Sequence, residues 1–581
     1  MVAAAEFPID TLQAALWGRQ DGLLRPCPPL SESWQRRADF RRALLRLFTS
    51  QSRTPIKSSL EAGFDFYHDL VLRHRGLPTP AIITTGGALQ PSRSTSYDEL
   101  HAACMQRCVA WQAAGMRVGA SICLVGSLSI ELLTGLLSAL CLGGVVSLLP
   151  ALGPDYLRNR LGRLQPDFIA TAPHYRRLLS EEDWAGKLLP DTAPHGTAPP
   201  FAAPVGSHTY EGQGAAFAIF SPQRRPDSPA LRLNAADAYA AALSDGLLLF
   251  RLSLGSPVWA PDGDLLEQQP ALLLTTLLHG GTYLHGVSLS ELAPQGPLPV
   301  PHVLFVRRVL RDRLLEQAPR TLPGLRLWVV HPTEAADARW LDWIEHQGLR
   351  SIPAISAWLD SSAGGCALFS APQLGGVPQR ILPAPGLSYS FQAVAYPHLP
   401  AGSGCGVLRV PPHDADALGV RLATQDAAFV YGGTAEVLHH DQRVCTQEVE
   451  ACVAQLPFVD AAVVLEQAGD RSAPILFVFL GPEPLAIAHD LSAARCGAVR
   501  EHLVARLGPG FVPPQIETLA MYPRRRGGSV DRAWLRQIYD EGWLREREQH
   551  SVFRLLDQLR SAWLGPRLPA PQAQVHRGES R

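Results

Sequence analysis

Short apolar runs alternate with amphipathic stretches through the first half of this chain, and that alternation sets the architecture. Ser96-Tyr97-Asp98-Glu99 pairs a serine with a glutamate three residues later. This capping box predicts a helix through about Ala114, closed by Gly115. The run ASICLVG, ending at Gly126, predicts a short buried strand. A second helix to Leu142, the strand VVSLLP, a third helix GPDYLRNRLGRLQ and the strand PDFIAT follow in order. Strands alternating with helices predict a parallel sheet with crossover helices.

The uncharged run 132–153 is long enough for a membrane span. Gly143-Gly144 splits it, and the two parts are expected to be a helix and a buried strand. Residues 186–214 are rich in Pro, Gly, Ala and His and predict a loop, after which GAAFAIF is the next strand. AADAYAAALSDGLLLF, ALLLTTLLHGGTYLH, VPHVLFVRRVLRDRLLE and LPGLRLWVVHP continue the pattern of helices, turns and strands. Residues 1–58 are helical in pattern and rich in arginine, with SWQRRADFRRALLRLF the clearest amphipathic stretch.

At 581 residues the chain is too long for one small domain, and its net charge of −1 gives no field for nucleic acid or an anionic membrane. Lys57 and Lys187 are its only lysines. Any chemistry that needs an ammonium beyond residue 187 must therefore use arginine, whose planar fork is a different shape. The ten cysteines include no CxxC pair and no metal spacing. Cys104 and Cys108 lie one helical turn apart and are expected to pack as small apolar residues in a reduced, cytoplasmic protein. The first residues, with Glu6 and Asp10 and no basic start, do not read as a signal peptide.

The sharpest motif is Pro523-Arg524-Arg525-Arg526-Gly527-Gly528-Ser529-Val530-Asp531-Arg532. It resembles the segment Pro-Arg-Thr-x-x-Gly-Lys-Val-Asp-Arg of adenylate-forming enzymes: acyl-CoA synthetases, peptide-synthetase adenylation domains and luciferases. The block TSYDELHAACMQRCVAWQAAGMRVGASICLVG and the elements after it look like the opening of that family's large domain. The resemblance implies an α/β fold, with a large N-terminal domain of parallel and mixed sheets and a small α+β lid. It implies the large domain over residues 59–432 and the lid over 433–540, while the residue pattern adds a helical extension over 1–58 and an amphipathic helix with a Pro-rich, disordered tail over 541–581.

Residue by residue, the family's site motifs depart from their pattern. Ser529 occupies the place of the lysine that bridges carboxylate and α-phosphate. The phosphate loop corresponds to Phe220-Ser221-Pro222-Gln223-Arg224-Arg225-Pro226-Asp227-Ser228, which holds no glycine. Two prolines there remove backbone donors. Ser221, Arg224 and Arg225 are the residues of that loop able to meet a phosphate. The segment Tyr-Gly-x-Thr-Glu, with its adenine-stacking aromatic and metal-holding glutamate, corresponds to SIPAISAWLDSSAGGCALF. Trp358 is the stand-in for the aromatic and Asp360 for the acid. The ribose-binding Thr-Gly-Asp is kept best, as Thr424-Gln425-Asp426. Gly432-Gly433-Thr434 matches the hinge, with Thr434 for its arginine, and the glycine-rich loop after it is shortened to LHHDQRV. His331 ends a predicted strand, as a pocket residue or a satisfied histidine. Glu448 and Glu450 match the lid's first helix and are expected to face solvent.

The resulting expectation is a relative that has lost catalysis, with no catalytic residue, metal or bound cofactor. It would serve as a partner or scaffold in a biosynthetic pathway, contacting a carrier protein, a pathway enzyme, or an acyl or aryl acid. The alternatives are an ATP- and magnesium-dependent carboxylic acid ligase with a rebuilt site, and an acyl or aryl acid binder that uses no ATP.

Overall fold

The computed structural model describes residues 19–20, 23–24, 37–84, 92–179, 182–190, 206–220, 229–261, 265–286, 299–316, 322, 324–331, 338–370, 372, 374, 381–384, 390–393, 405–409, 417–422, 428–433, 436–439, 442–465, 474–480, 490–519 and 535. The chain divides into two compact units, with the second taking Ala435–Arg581 and two short earlier pieces.

In the first unit the strands are β1 (Pro80–Thr84), β2 (Arg93–Ser96), β3 (Ser121–Val125), β4 (Val145–Leu149), β5 (Phe168–Thr171), β6 (Ala215–Ile219) and β7 (Leu231–Asn234). They continue as β8 (Pro257–Trp259), β9 (Thr282–His285), β10 (Val303–Val306), β11 (Leu327–Val330), β12 (Ala354–Asp360), β13 (Gly365–Ser370) and β14 (Ile381–Pro383). One sheet has the order β5-β3-β4-β6-β7 and a larger one the order β14-β13-β12-β11-β10-β8-β9-β1-β2. In the larger sheet β1, β9, β8, β10, β11 and β12 all run parallel. Four antiparallel strands between Ser390 and Gly433 form a further sheet of the same unit.

Parallel strands flanked by helices bury both faces, and the residues here obey that rule one by one. In β10, Val303 and Phe305 enter one core while Leu304 and Val306 enter another. Val258 and Trp259, Tyr283 and Leu284, and Ile82 and Ile83 divide the same way. The main helices of the first core are α1 (Arg37–Gln51), α2 (Phe66–Leu70), α3 (Tyr97–Ala113), α4 (Ile130–Cys141), α5 (Ala235–Ser244) and α6 (Ala271–Leu278).

Helix α3 starts where the capping box places it. The Ser96 hydroxyl accepts from the Glu99 N–H at 3.2 Å, and the Glu99 carboxylate accepts from the Ser96 N–H at 2.8 Å. Cys104 and Cys108 are buried on its inner face, and their thiols reach the Thr134 and Ser138 carbonyls of α4. The uncharged run resolves into α4, a glycine turn and β4. No helix of the described residues is long and apolar enough to cross a membrane. Within residues 1–58, α1 falls in the amphipathic stretch. Arg19–Gln20, by contrast, pairs antiparallel with Leu23–Leu24, so helical periodicity does not hold over the whole segment.

The second unit contains a helix Thr446–Val453, a helix Asp490–Arg506 and a three-stranded sheet of Val459–Leu465, Ile475–Leu480 and Gln515–Leu519. Glu450 does not simply face solvent. Its carboxylate accepts from the Val464 N–H at 2.8 Å and ties the first helix to the sheet.

The glycine turn after α4 is a place where side-chain size decides stability. Gly143 has φ +76°, and a Cβ there would lie 2.6 Å from the His208 ring. Gly143→Ala should cost about 1–3 kcal/mol through strain and collision. Gly162 sits in a helix with nothing within 4 Å of a Cβ. Gly162→Ala should instead leave stability unchanged or raise it by up to about 1 kcal/mol. Denaturant midpoints of the two variants check the contrast.

Candidate functional site

Because both faces of the large sheet are covered, its side chains can reach a ligand only at strand ends. Open α/β sheets bind ligands outside the carboxyl ends, where the strand order reverses. Here β8 is followed by β9 on one side, and the chain then crosses to place β10 on the other. The reversal lies at the carboxyl ends of β8 and β10, where Trp259, Ala260 and Arg307 are buried. The sequence reading did not single out Arg307. Its signal is a charge placed directly after the apolar strand Val303–Val306.

Trp358 and His331 converge at the same edge. His331 follows β11 and Trp358 lies in β12, and these strands pair in parallel through Val330 and Ser356. The two rings have centroids 5.0 Å apart at 49°. Trp358 is 0% exposed and His331 only 5%. The histidine thus fills a place in the core beside the indole. Asp360 ends β12 and faces Gly365 across the β12–β13 hairpin. It stands past the buried part of the strand, at intermediate exposure.

A second residue missed from sequence supports this hairpin from behind. Asp245 begins a π-helical turn, Asp245–Leu249, that extends α5. Its carboxylate accepts from the Cys366 N–H at 2.8 Å, and Gly365 packs so close that a Cβ there would fall 2.5 Å from Asp245 Oδ2. Burial pushes the Asp245 carboxyl up to about 7, opposed by the single amide from Cys366. The only sequence signal was one acid in the run AALSDGLLLF. In the turn at this end of the hairpin, the buried Ser361 hydroxyl lies within donating distance of the Leu266 and Gln269 carbonyls, at 2.6 and 2.8 Å.

The remaining residues expected to hold a nucleotide lie outside the described residues: Ser221, Arg224, Arg225, Thr424, Asp426 and the lysine-position Ser529. Trp358 alone of that set is described, and it does not fit the role of a stacking face. A base can stack only on a ring with an open side, and this indole has none. Among the described residues no three His, Cys, Asp or Glu side chains gather to hold a metal ion.

No protein-family model matches the chain, and no curated protein matches it in sequence. Solved structures do. The amide bond synthetase McbA from Marinactinospora thermotolerans is 14% identical with a TM-score of 0.62, over 82% of this chain and 100% of that one. A double mutant of o-succinylbenzoate CoA synthetase (MenE) from Bacillus subtilis is 14% identical with a TM-score of 0.59, over 81% and 98%. A benzoate CoA ligase from Burkholderia xenovorans LB400 is 18% identical with a TM-score of 0.52, over 81% and 100%. The chain therefore has the adenylate-forming fold, as its closing motif implies. At these identities the likeness is one of fold.

Asp245 gives this region a testable pH dependence. Its folded-state pKa is raised, so the native state holds a proton that the unfolded chain has already released above about pH 4. The contribution of this carboxyl is fully present below that pH, and it is lost as pH rises through about 7. Asp245→Asn keeps an acceptor for Cys366 N–H and removes the charge. The variant should gain on the unmodified protein by about 2–3 kcal/mol between pH 5 and 8. Urea unfolding at both pH values measures the difference, and parallel pH profiles would remove Asp245 as the cause.

Proposed function

We propose that this chain is a non-catalytic relative of the adenylate-forming ligases, acting as a partner or scaffold in a biosynthetic pathway. The observation that carries the reading is the burial of Trp358 against His331, where the resemblance calls for an aromatic with a face toward adenine. The sequence supports it at three further positions. Ser529 replaces the bridging lysine, the phosphate loop from Ser221 to Ser228 has no glycine, and Thr434 replaces the hinge arginine.

Adenylation depends on neutralising charge while a carboxylate oxygen attacks the α-phosphate. Removing one preorganised group from such a site costs about 3–4 kcal/mol, or two to three decades in rate. Several such losses together leave the scaffold without its reaction, and a shared fold does not restore it. What survives is a large surface suited to contacting a carrier protein or another pathway enzyme, or to holding an acyl or aryl acid.

A ligase with a rebuilt site is the second reading. It is favoured by the similar structures, which bear the names of synthetases and ligases. In that reading Arg224, Arg225, Arg525 or Arg526 meets phosphate and Asp426 takes the ribose.

Calorimetry with magnesium-ATP on the purified protein separates them. The non-catalytic reading expects no binding at millimolar ATP. It also expects no acid-dependent ATP–pyrophosphate exchange from Ser529→Lys alone, and exchange appearing on that single change would overturn it. The ligase reading expects micromolar binding that Asp426→Ala weakens at least tenfold.

A further inference from the structure

At the amino ends of β1, β8 and β9, opposite the carboxyl edge, a cavity of about 500 Å³ lies against α1. That volume falls within the range of small-molecule sites. Its walls include Phe48, Leu247, Leu252 and Leu254, and its polar groups include Arg53, Arg73, His74 and His279. Among the described residues no aspartate or glutamate lines it.

Arg73 is largely buried without an ion pair among the described residues. Its guanidinium donates to the Asp69 carbonyl at 2.9 Å, to the Leu278 carbonyl, and more weakly to Ser52 Oγ at 3.3 Å and the Thr54 carbonyl at 3.4 Å. It lies over the Phe48 ring, 4.9 Å from the centroid. The carboxylate of Asp69 is already committed to the Lys57 and Ser58 amides, His68 and the Tyr239 hydroxyl. Asp69 acts on Arg73 through space without a direct ion pair, and a directly bonded counter-ion would lower the cost of burying the guanidinium further.

The two histidines point the same way. His74 is 3% exposed and His279 7%. Neither ring nitrogen of His74, nor Nε2 of His279, has a hydrogen-bond partner among the described residues. The His74 ring lies near the Leu277 and Leu278 carbonyls and the His279 ring near that of Ala242, without hydrogen-bond geometry. Burial and the Arg73 charge push both imidazoles down to about 3, so both are neutral at pH 7. A neutral imidazole still offers one N–H donor. A metal cation is disfavoured here because two arginines share the cavity and, among the described residues, no carboxylate does.

We propose that this cavity binds a small organic acid, its carboxylate held by Arg73 with the His74 ring and its apolar body lying against Phe48, Leu247, Leu252 and Leu254, while His279 Nε2 packs against Gly246 and its ring helps wall the cavity. The site is separate from the carboxyl-edge region and does not depend on whether that region binds nucleotide. Its location assigns a role to the N-terminal extension, since α1 supplies Phe48 and completes one wall.

Calorimetry with benzoate and octanoate, and with benzyl alcohol and octanol as uncharged counterparts, tests this on the full chain. At least one carboxylate should bind, and its alcohol should bind at least tenfold more weakly. Leu254 is 41% exposed at the cavity wall, so Leu254→Trp should fold normally while blocking entry. It should weaken the carboxylate at least tenfold, as should Arg73→Gln if that variant retains a cooperative unfolding transition. Neither carboxylate binding at millimolar concentration would overturn the proposal, and so would undiminished binding by a folded Leu254→Trp protein. Inorganic phosphate binding as tightly as the better carboxylate would overturn the assignment of an apolar body.

Discussion

Burial of both faces of the six parallel strands is the constraint on which the large unit depends. Each strand sends alternate residues into two cores, as Val303 and Phe305 do against Leu304 and Val306. A charged side chain in the middle of such a strand would need a buried partner. Chemistry is therefore confined to the two strand-end edges and to residues just beyond them. Arg307 and His331 sit past the carboxyl ends, and Arg73, His74 and His279 sit before the amino ends.

The two edges treat buried charge differently. Asp245, behind the β12–β13 hairpin, receives one backbone N–H and is pushed toward its neutral form. Its cost is limited because a carboxyl can take up a proton near neutral pH. Arg73 has no such escape, because a guanidinium stays protonated. It is instead held by carbonyls, including that of Leu278 at the end of α6, where the helix dipole favours a cation. Carbonyls lower the cost of the charge without cancelling it, and this leaves the amino edge suited to an anion.

Much of the fold was legible in the sequence because local signals and the global pattern agreed. The capping box at Ser96, the split at Gly143-Gly144 and the alternation of strands with amphipathic helices each have one simple physical cause. The site was less legible. Trp358 reads as a stacking aromatic by its place in a motif, yet six consecutive residues of β12 are buried, and only the paired strands reveal it. Asp245 is a single charge in apolar surroundings and Arg307 the first of two adjacent arginines, and sequence alone does not say whether such a charge is buried. The amino-edge cavity draws on residues from Phe48 to His279, brought together by tertiary structure alone. Glu450 shows the same limit, since its partner Val464 lies on a strand beyond the next turn.

Trp358 also shows how packing decides what a ring at a strand end can do. A large ring at a strand end can be a platform for a ligand or a plug in the core, and it cannot serve fully as both. Covering the indole with His331 gives buried aromatic area, and contacts between aromatic rings add to that gain. Such packing leaves the strand order and both cores intact. The adenylate-forming fold and the burial of this ring are thus set by the same packing, independently of any chemistry at the edge.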